Sequence, residues 1–225
     1  MARMKTSMPI HADILASFRD VLRGGALSLL VRLAIMMLCA ACYGAVLGSS
    51  GGITEQGVKQ SMYSAIKVPM LLTVSFAIGL PSFFVFNTLF GLRADFVDVV
   101  RTLVGGQAVL TVVLASLAPY TLLWYASFES YVGAQLFSGA MFALATFAAQ
   151  AVLRRRYRPL IARNSRHRWL LVLWVVLYCF VAIQMAWVLR PFIGAPGLEV
   201  QFFRADSWGN AYVILGRGLW NGLTK

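Results

Sequence analysis

Eight carboxylates, two histidines and three cysteines are the side chains of this 225-residue chain that could serve as acid, base, nucleophile or metal ligand. A proton-coupled carrier or an intramembrane aspartyl protease sets a carboxylate within an apolar run, where its burial cost marks function. Asp13, Asp20, Glu55, Asp95, Asp98, Glu129, Glu199 and Asp206 all fall outside the apolar runs. His11 lies in the N-terminal stretch and His167 in a basic one, so neither is placed to activate a buried nucleophile. There is no HExxH and no GxSxG with an intramembrane histidine partner. Cys39 and Cys42, three apart, share a helix face, but without further ligands they read as small packing residues, like Cys179. Gly105 and Gly106 lack the Lys and Ser/Thr of a phosphate-binding loop. We therefore expect no catalytic, cofactor or metal site and no enzymatic activity.

The elements around these residues point to a membrane. Hydrophobic residues make up 60% of the chain and charged ones 12%, and the mean hydropathy is +0.74. An apolar helix of about 20 residues crosses the hydrocarbon core of a bilayer, and five such runs occur, at 27–47, 68–90, 103–125, 131–153 and 169–189. No cleavable signal peptide is expected, because the first run starts only near Ala26 and exceeds the usual length. The expected fold is all-α: a polytopic membrane helical bundle of five transmembrane helices with amphipathic interfacial helices at both ends. Three regions follow. Residues 1–25 form an amphipathic cytoplasmic N-terminal helix, with Ile10, Ile14, Phe18, Val21 and Leu22 at helical spacing. That helix either lies in the membrane interface or caps its own bundle. Residues 26–190 form the five-span domain. Residues 191–225 form an exterior tail whose Trp208, Tyr212 and Trp220 suit the interface or a protein partner.

Seven arginines (Arg154, Arg155, Arg156, Arg158, Arg163, Arg166 and Arg168) crowd the expected loop between spans four and five. With the N-terminus in the cytoplasm, thirteen cations lie inside and six outside, and Arg32 sits within the first span. That bias sets the N-terminus inside and the C-terminus outside. The loop is first an orientation signal and second a candidate contact for anionic lipids or for an acidic protein surface. It carries a single aromatic, Tyr157, and no stacking platform, so nucleic acid is not an expected partner.

Within the spans the informative residues are structural. Pro81 and Pro119 each remove a helical hydrogen bond and are expected to kink their helices. Span four is rich in small residues, and Gly133, Ala134, Ser138, Gly139 and Ala143 are expected to allow close approach of another helix, in this chain or in a second copy. Asn87, Gln107, Gln150 and Gln184 are neutral polar groups suited to interhelical hydrogen bonds, with Gln184 the most deeply placed.

The stretch LFGLRADFVDVVRTLVGGQAVLTVVLASLAPYTLLW, 89–124, carries Gly91, Phe96 and a span with Pro119. On these residues and the five-span layout, the chain resembles the Yip-domain family, small membrane proteins with many bacterial relatives. The Asp-Leu-Tyr-Gly-Pro motif of its eukaryotic members is not present. The resemblance implies a non-enzymatic role in membrane organisation, with the bacterial inner membrane as the expected location; it implies no site residues. The expected function is a membrane scaffold or an accessory subunit of a larger membrane assembly, working through the lipid bilayer and protein partners or self-association. The alternative is a transporter or channel subunit with a path between spans two and three, lined by Asn87 and Gln184. Neutralising Arg154, Arg155, Arg156 and Arg158 to glutamine is expected to scramble insertion, so that a C-terminal topology reporter is found on both sides of the membrane. A reporter that stays on one side would overturn the orientation role.

Overall fold

The computed structural model describes residues 29–52, 54–128, 130–194, 199–204 and position 213. The expected amphipathic helix at 1–25 and the aromatic positions Trp208, Tyr212 and Trp220 lie outside the described residues. Among the described residues five α-helices follow one another: α1 Leu29–Gly48, α2 Glu55–Leu89, α3 Phe96–Ser127, α4 Tyr131–Arg163 and α5 His167–Leu189. Short 3-10 turns at Ser49–Gly51 and Arg93–Asp95 lead into α2 and α3. All five helices are long and apolar enough to cross a membrane, and among the described residues there is no strand. The chain is an all-α helical bundle compatible with an integral membrane protein.

Local chemistry sets the ends. Thr54 caps α2, its hydroxyl accepting from Gly57 N at 3.0 Å, and Ser130 caps α4 by accepting from Gly133 N at 3.1 Å. After α2 the chain turns at Gly91, whose φ of 73° is a left-handed conformation that side chains resist. Asn87 Nδ2 donates to Leu92 O at 3.1 Å and closes that turn.

Three helices outrun the expected spans. At 35 residues α2 is roughly 52 Å long, well beyond a hydrocarbon core of about 30 Å. The largest difference is the arginine loop, which is helix for most of its length: α4 continues to Arg163, and only Asn164–Arg166 turn the chain. The reason is amphipathic. Leu153, Tyr157 and Leu160 recur at helical spacing and are buried, while Arg154, Arg155 and Arg158 point outward. The helices run on through their prolines, α2 through Pro69 and Pro81, α3 through Pro119 and α4 through Pro159.

The helices pack as an open ring. α1 lies against both α2 and α3, α4 packs on α3, and α5 packs on α2, whereas α4 and α5 meet only sparsely. One apolar cluster joins α1 to α4 around Tyr43, Val68, Leu114 and Ala145. A second joins α2 to α5 around Phe83, Leu103, Tyr157 and Trp174. The tightest approach is between α1 and α2, where a methyl on Gly44 would overlap Ser64 O and one on Gly48 would lie 2.6 Å from Gln60 O. Gly44 and Gly48 form a GxxxG pair, the sequence signal of a close helix crossing. It is a stronger instance than the small-residue run of span four. Gly44→Ala is expected to destabilise the bundle by about 1–3 kcal/mol through overpacking, whereas Gly139→Ala, whose methyl would meet nothing within 4 Å, is expected to be neutral. Thermal unfolding of both variants in mild detergent checks this.

Candidate binding groove

At one end of the bundle, termed the arginine end, charges join the helices. Arg163 lies 3.2 Å from Asp98 and 3.6 Å from Asp95, and His167 Nε2 is 3.0 Å from Asp95 Oδ2. Arg166 Nη1 donates to Phe90 O at 3.1 Å. His167 is fully buried at the start of α5, edge-on to the ring of Tyr157. The seven arginines therefore divide. Arg154, Arg155, Arg158 and Arg168 are exposed. Arg163 and Arg166 are exposed too but are engaged, Arg163 with Asp95 and Asp98 and Arg166 with Phe90 O. Arg156 is half-buried and passes over Gly105, where a Cβ would collide with its guanidinium. That clearance, with Leu153 packed over Gly106, is what the Gly105–Gly106 pair provides.

The opposite end is closed by backbone carbonyls. The chain leaving α5 crosses α2, where Lys67 Nζ donates to Pro191 O at 2.7 Å. Gln60 Nε2 donates to Pro191 O at 3.1 Å and to Phe192 O at 3.0 Å, and the Ser64 hydroxyl also donates to Phe192 O. Lys67 is fully buried and sits 5.0 Å from the centre of the Phe202 ring. Burying an ammonium is tolerated here because carbonyl and ring faces replace its water. In the sequence Lys67 is one of the six cations counted outside, next to the apolar run that starts at 68. Its signal is the spacing of Gln60, Ser64 and Lys67, which puts three polar groups on one helix face.

Between these closures lies a cavity of about 680 Å³, bounded chiefly by α3, α4 and α5. Gly139 of α4 and Ile183 of α5 line it and are also exposed, so it opens between those two helices as a groove. Because the helices run antiparallel, its lining can be followed from end to end. Arg190 and Arg204 stand at the mouth, and Arg190 stacks 3.5 Å from the ring of Trp187. Tyr131 and Gln135 come next, with Gln135 Nε2 donating to Tyr131 Oη at 3.0 Å. Leu110, Gly139, Phe142, Ile183 and Ala186 form an apolar stretch. A polar band follows, where Tyr178 Oη donates to Gln107 Oε1 at 3.2 Å. Gln150 adds a buried Oε1 that no donor reaches.

The residues singled out in the sequence distribute unevenly about this groove. Ala134 and Ser138 face the core, Ser138 within 2.9 Å of Tyr125 Oη, and the row continues through Ala145 and Ala149. Gly133 packs beside its own cap, Ser130. Gly139 and Ala143 turn away from the packed face and do not join it. Gln184 is half-buried and is not among the groove residues. Asn87 serves its local turn. Neither Asn87 nor Gln184 lines this groove. Cys39 is buried while Cys42 is exposed, and among the described residues no three His, Cys, Asp or Glu side chains gather as metal ligands.

No family model, curated protein or solved structure matches the chain. Lys67→Met, which keeps the apolar stem and removes the ammonium, is expected to release the segment after α5. Loss of a charged hydrogen bond worth about 1.5–3 kcal/mol should raise protease cleavage within 190–204 on the order of tenfold. Timed proteolysis of the detergent-solubilised protein reads this directly.

Proposed function

We propose that the chain is a non-enzymatic integral membrane protein, a scaffold or accessory subunit, and that it holds a hydrophobic partner in the groove between α4 and α5. The observation that carries this reading is the groove itself. A space of about 680 Å³, within the range of roughly 300–1,000 Å³ typical of ligand-holding pockets, is left where two consecutive helices would otherwise close. Burying the apolar lining against an occupant would supply the packing that α4 and α5 lack. The Yip-type layout favours the same class of role. The exposed Arg154, Arg155, Arg158 and Arg168 beside the spans support a cytoplasmic arginine end. The N-terminus is then cytoplasmic and the C-terminus exterior, in a bacterial inner membrane.

A second reading, a transporter or channel subunit, is favoured by the polar band of Gln107, Gln150 and Tyr178 and by the unpartnered Gln150 Oε1, not by the proline-bearing pair of spans. A buried acceptor without a donor is costly and would be relieved by a hydroxyl, an amide or water passing that level.

Gly139→Phe places a ring into the groove without touching the packed face. Native mass spectrometry from mild detergent is expected to show bound mass on the wild-type protein and none on this variant, with thermal stability preserved. Wild-type protein that carries nothing, or that turns over a substrate by itself, would refute the reading. Solute flux in reconstituted vesicles that Gln150→Leu abolishes would favour the second one.

A further inference from the structure

Resting on the proposal that the groove is a binding site, the geometry points to its occupant: we infer a phospholipid with an anionic headgroup, its phosphate at Arg190 and Arg204 and an acyl chain along the apolar stretch. The order of chemistry along the groove is that of the lipid. Two guanidiniums at the mouth suit a phosphate, which they bind in a fixed fork geometry. The phenol of Tyr131 and the amide of Gln135 follow, at the depth of the ester carbonyls. Apolar walls at Leu110, Phe142 and Ala186 come below. The polar band at Gln107 and Tyr178 then marks the end of the chain-binding stretch.

Two further observations support an anion at the mouth. Lys67 brings a further positive charge to this end: its ammonium is bonded to Pro191 O, next in the chain to Arg190, and sits 5.0 Å from the ring of Phe202, two residues before Arg204. Trp187, which lines the groove and stacks on Arg190, has a buried indole N–H that donates to no acceptor. A phosphate or ester oxygen seated at the mouth would offer that donor a partner.

The test uses the full chain in nanodiscs of phosphatidylcholine with phosphatidylglycerol as the anionic probe, followed by native mass spectrometry of the retained lipid. The wild-type protein is expected to retain phosphatidylglycerol over phosphatidylcholine. In Arg190→Gln/Arg204→Gln that preference is expected to fall on the order of tenfold, while some lipid of either class stays bound. Gly139→Phe should lose both lipids, and Ala186→Phe on the facing helix serves if that variant does not fold. Equal retention of the two lipids by the wild-type protein, or an unchanged preference in the double variant, would overturn the headgroup assignment and leave the groove reading standing. Lipid retention unaltered by both filling variants would overturn the groove reading itself.

Discussion

In a bilayer, one apolar helix gains little by exchanging lipid for another apolar helix, so association must come from close backbone contact and from polar groups that find partners. The crossing of α1 and α2 meets the first requirement. Without Cβ atoms at Gly44 and Gly48 the two backbones come within contact distance at Ser64 and Gln60. α1 is also the helix that links α2 to α3, and its Tyr43 is fully buried, edge-on to Phe142 of α4. The other helices are arranged around this pair. α5 is carried by α2 and α4 by α3, so the two outer helices are left facing each other across a gap. The groove follows from this order of packing and not from a feature of α4 or α5 alone.

The two ends of the bundle show how the second requirement is met. At the arginine end, Arg163 and His167 reach the carboxylates of the α2–α3 connection and of α3. The Arg163 pairs are largely exposed and contribute modestly to stability; the geometric effect of both contacts is to hold α4 and α5 together at this end. At the other end, Lys67, Gln60 and Ser64 satisfy two carbonyls of the chain leaving α5. Charged and polar residues that could suggest chemistry are in both places occupied with closing the fold. The groove lies between two fixed ends, which gives it stable walls and leaves Arg190 and Arg204 at its mouth.

The number and identity of the helices were legible in the sequence because a span must be long and apolar, and both properties are local. Their lengths were less so. Apolar content stops at Leu153, but helix formation does not: arginine is a good helix former, and the buried positions Leu153, Tyr157 and Leu160 carry the α4 pattern to Arg163. The early start of α2 was hidden for the same reason, since its first turns are polar and are covered by the end of α1, the 3-10 turn after it and the chain returning from α5. Hydropathy reports lipid contact, and these segments are buried or held by protein. The small-residue run of span four was half informative. Ala134 and Ser138 pack as expected, while Gly139 and Ala143 line or border open space, because which side of a helix meets a neighbour depends on where that neighbour stands.

What the sequence by itself determined was the class of protein, five helices suited to a membrane, together with the asymmetric placement of arginine that favours one orientation. Each follows from composition along a single stretch of chain. What only the tertiary structure decided was which polar residues meet. Asp95 meets His167 and Arg163, Lys67 meets Pro191, and Gln107 meets Tyr178. The groove belongs to the same category. Its lining comes from residues 47 to 204, and no local pattern records that α4 and α5, adjacent in sequence, are held apart by the helices on which each one packs.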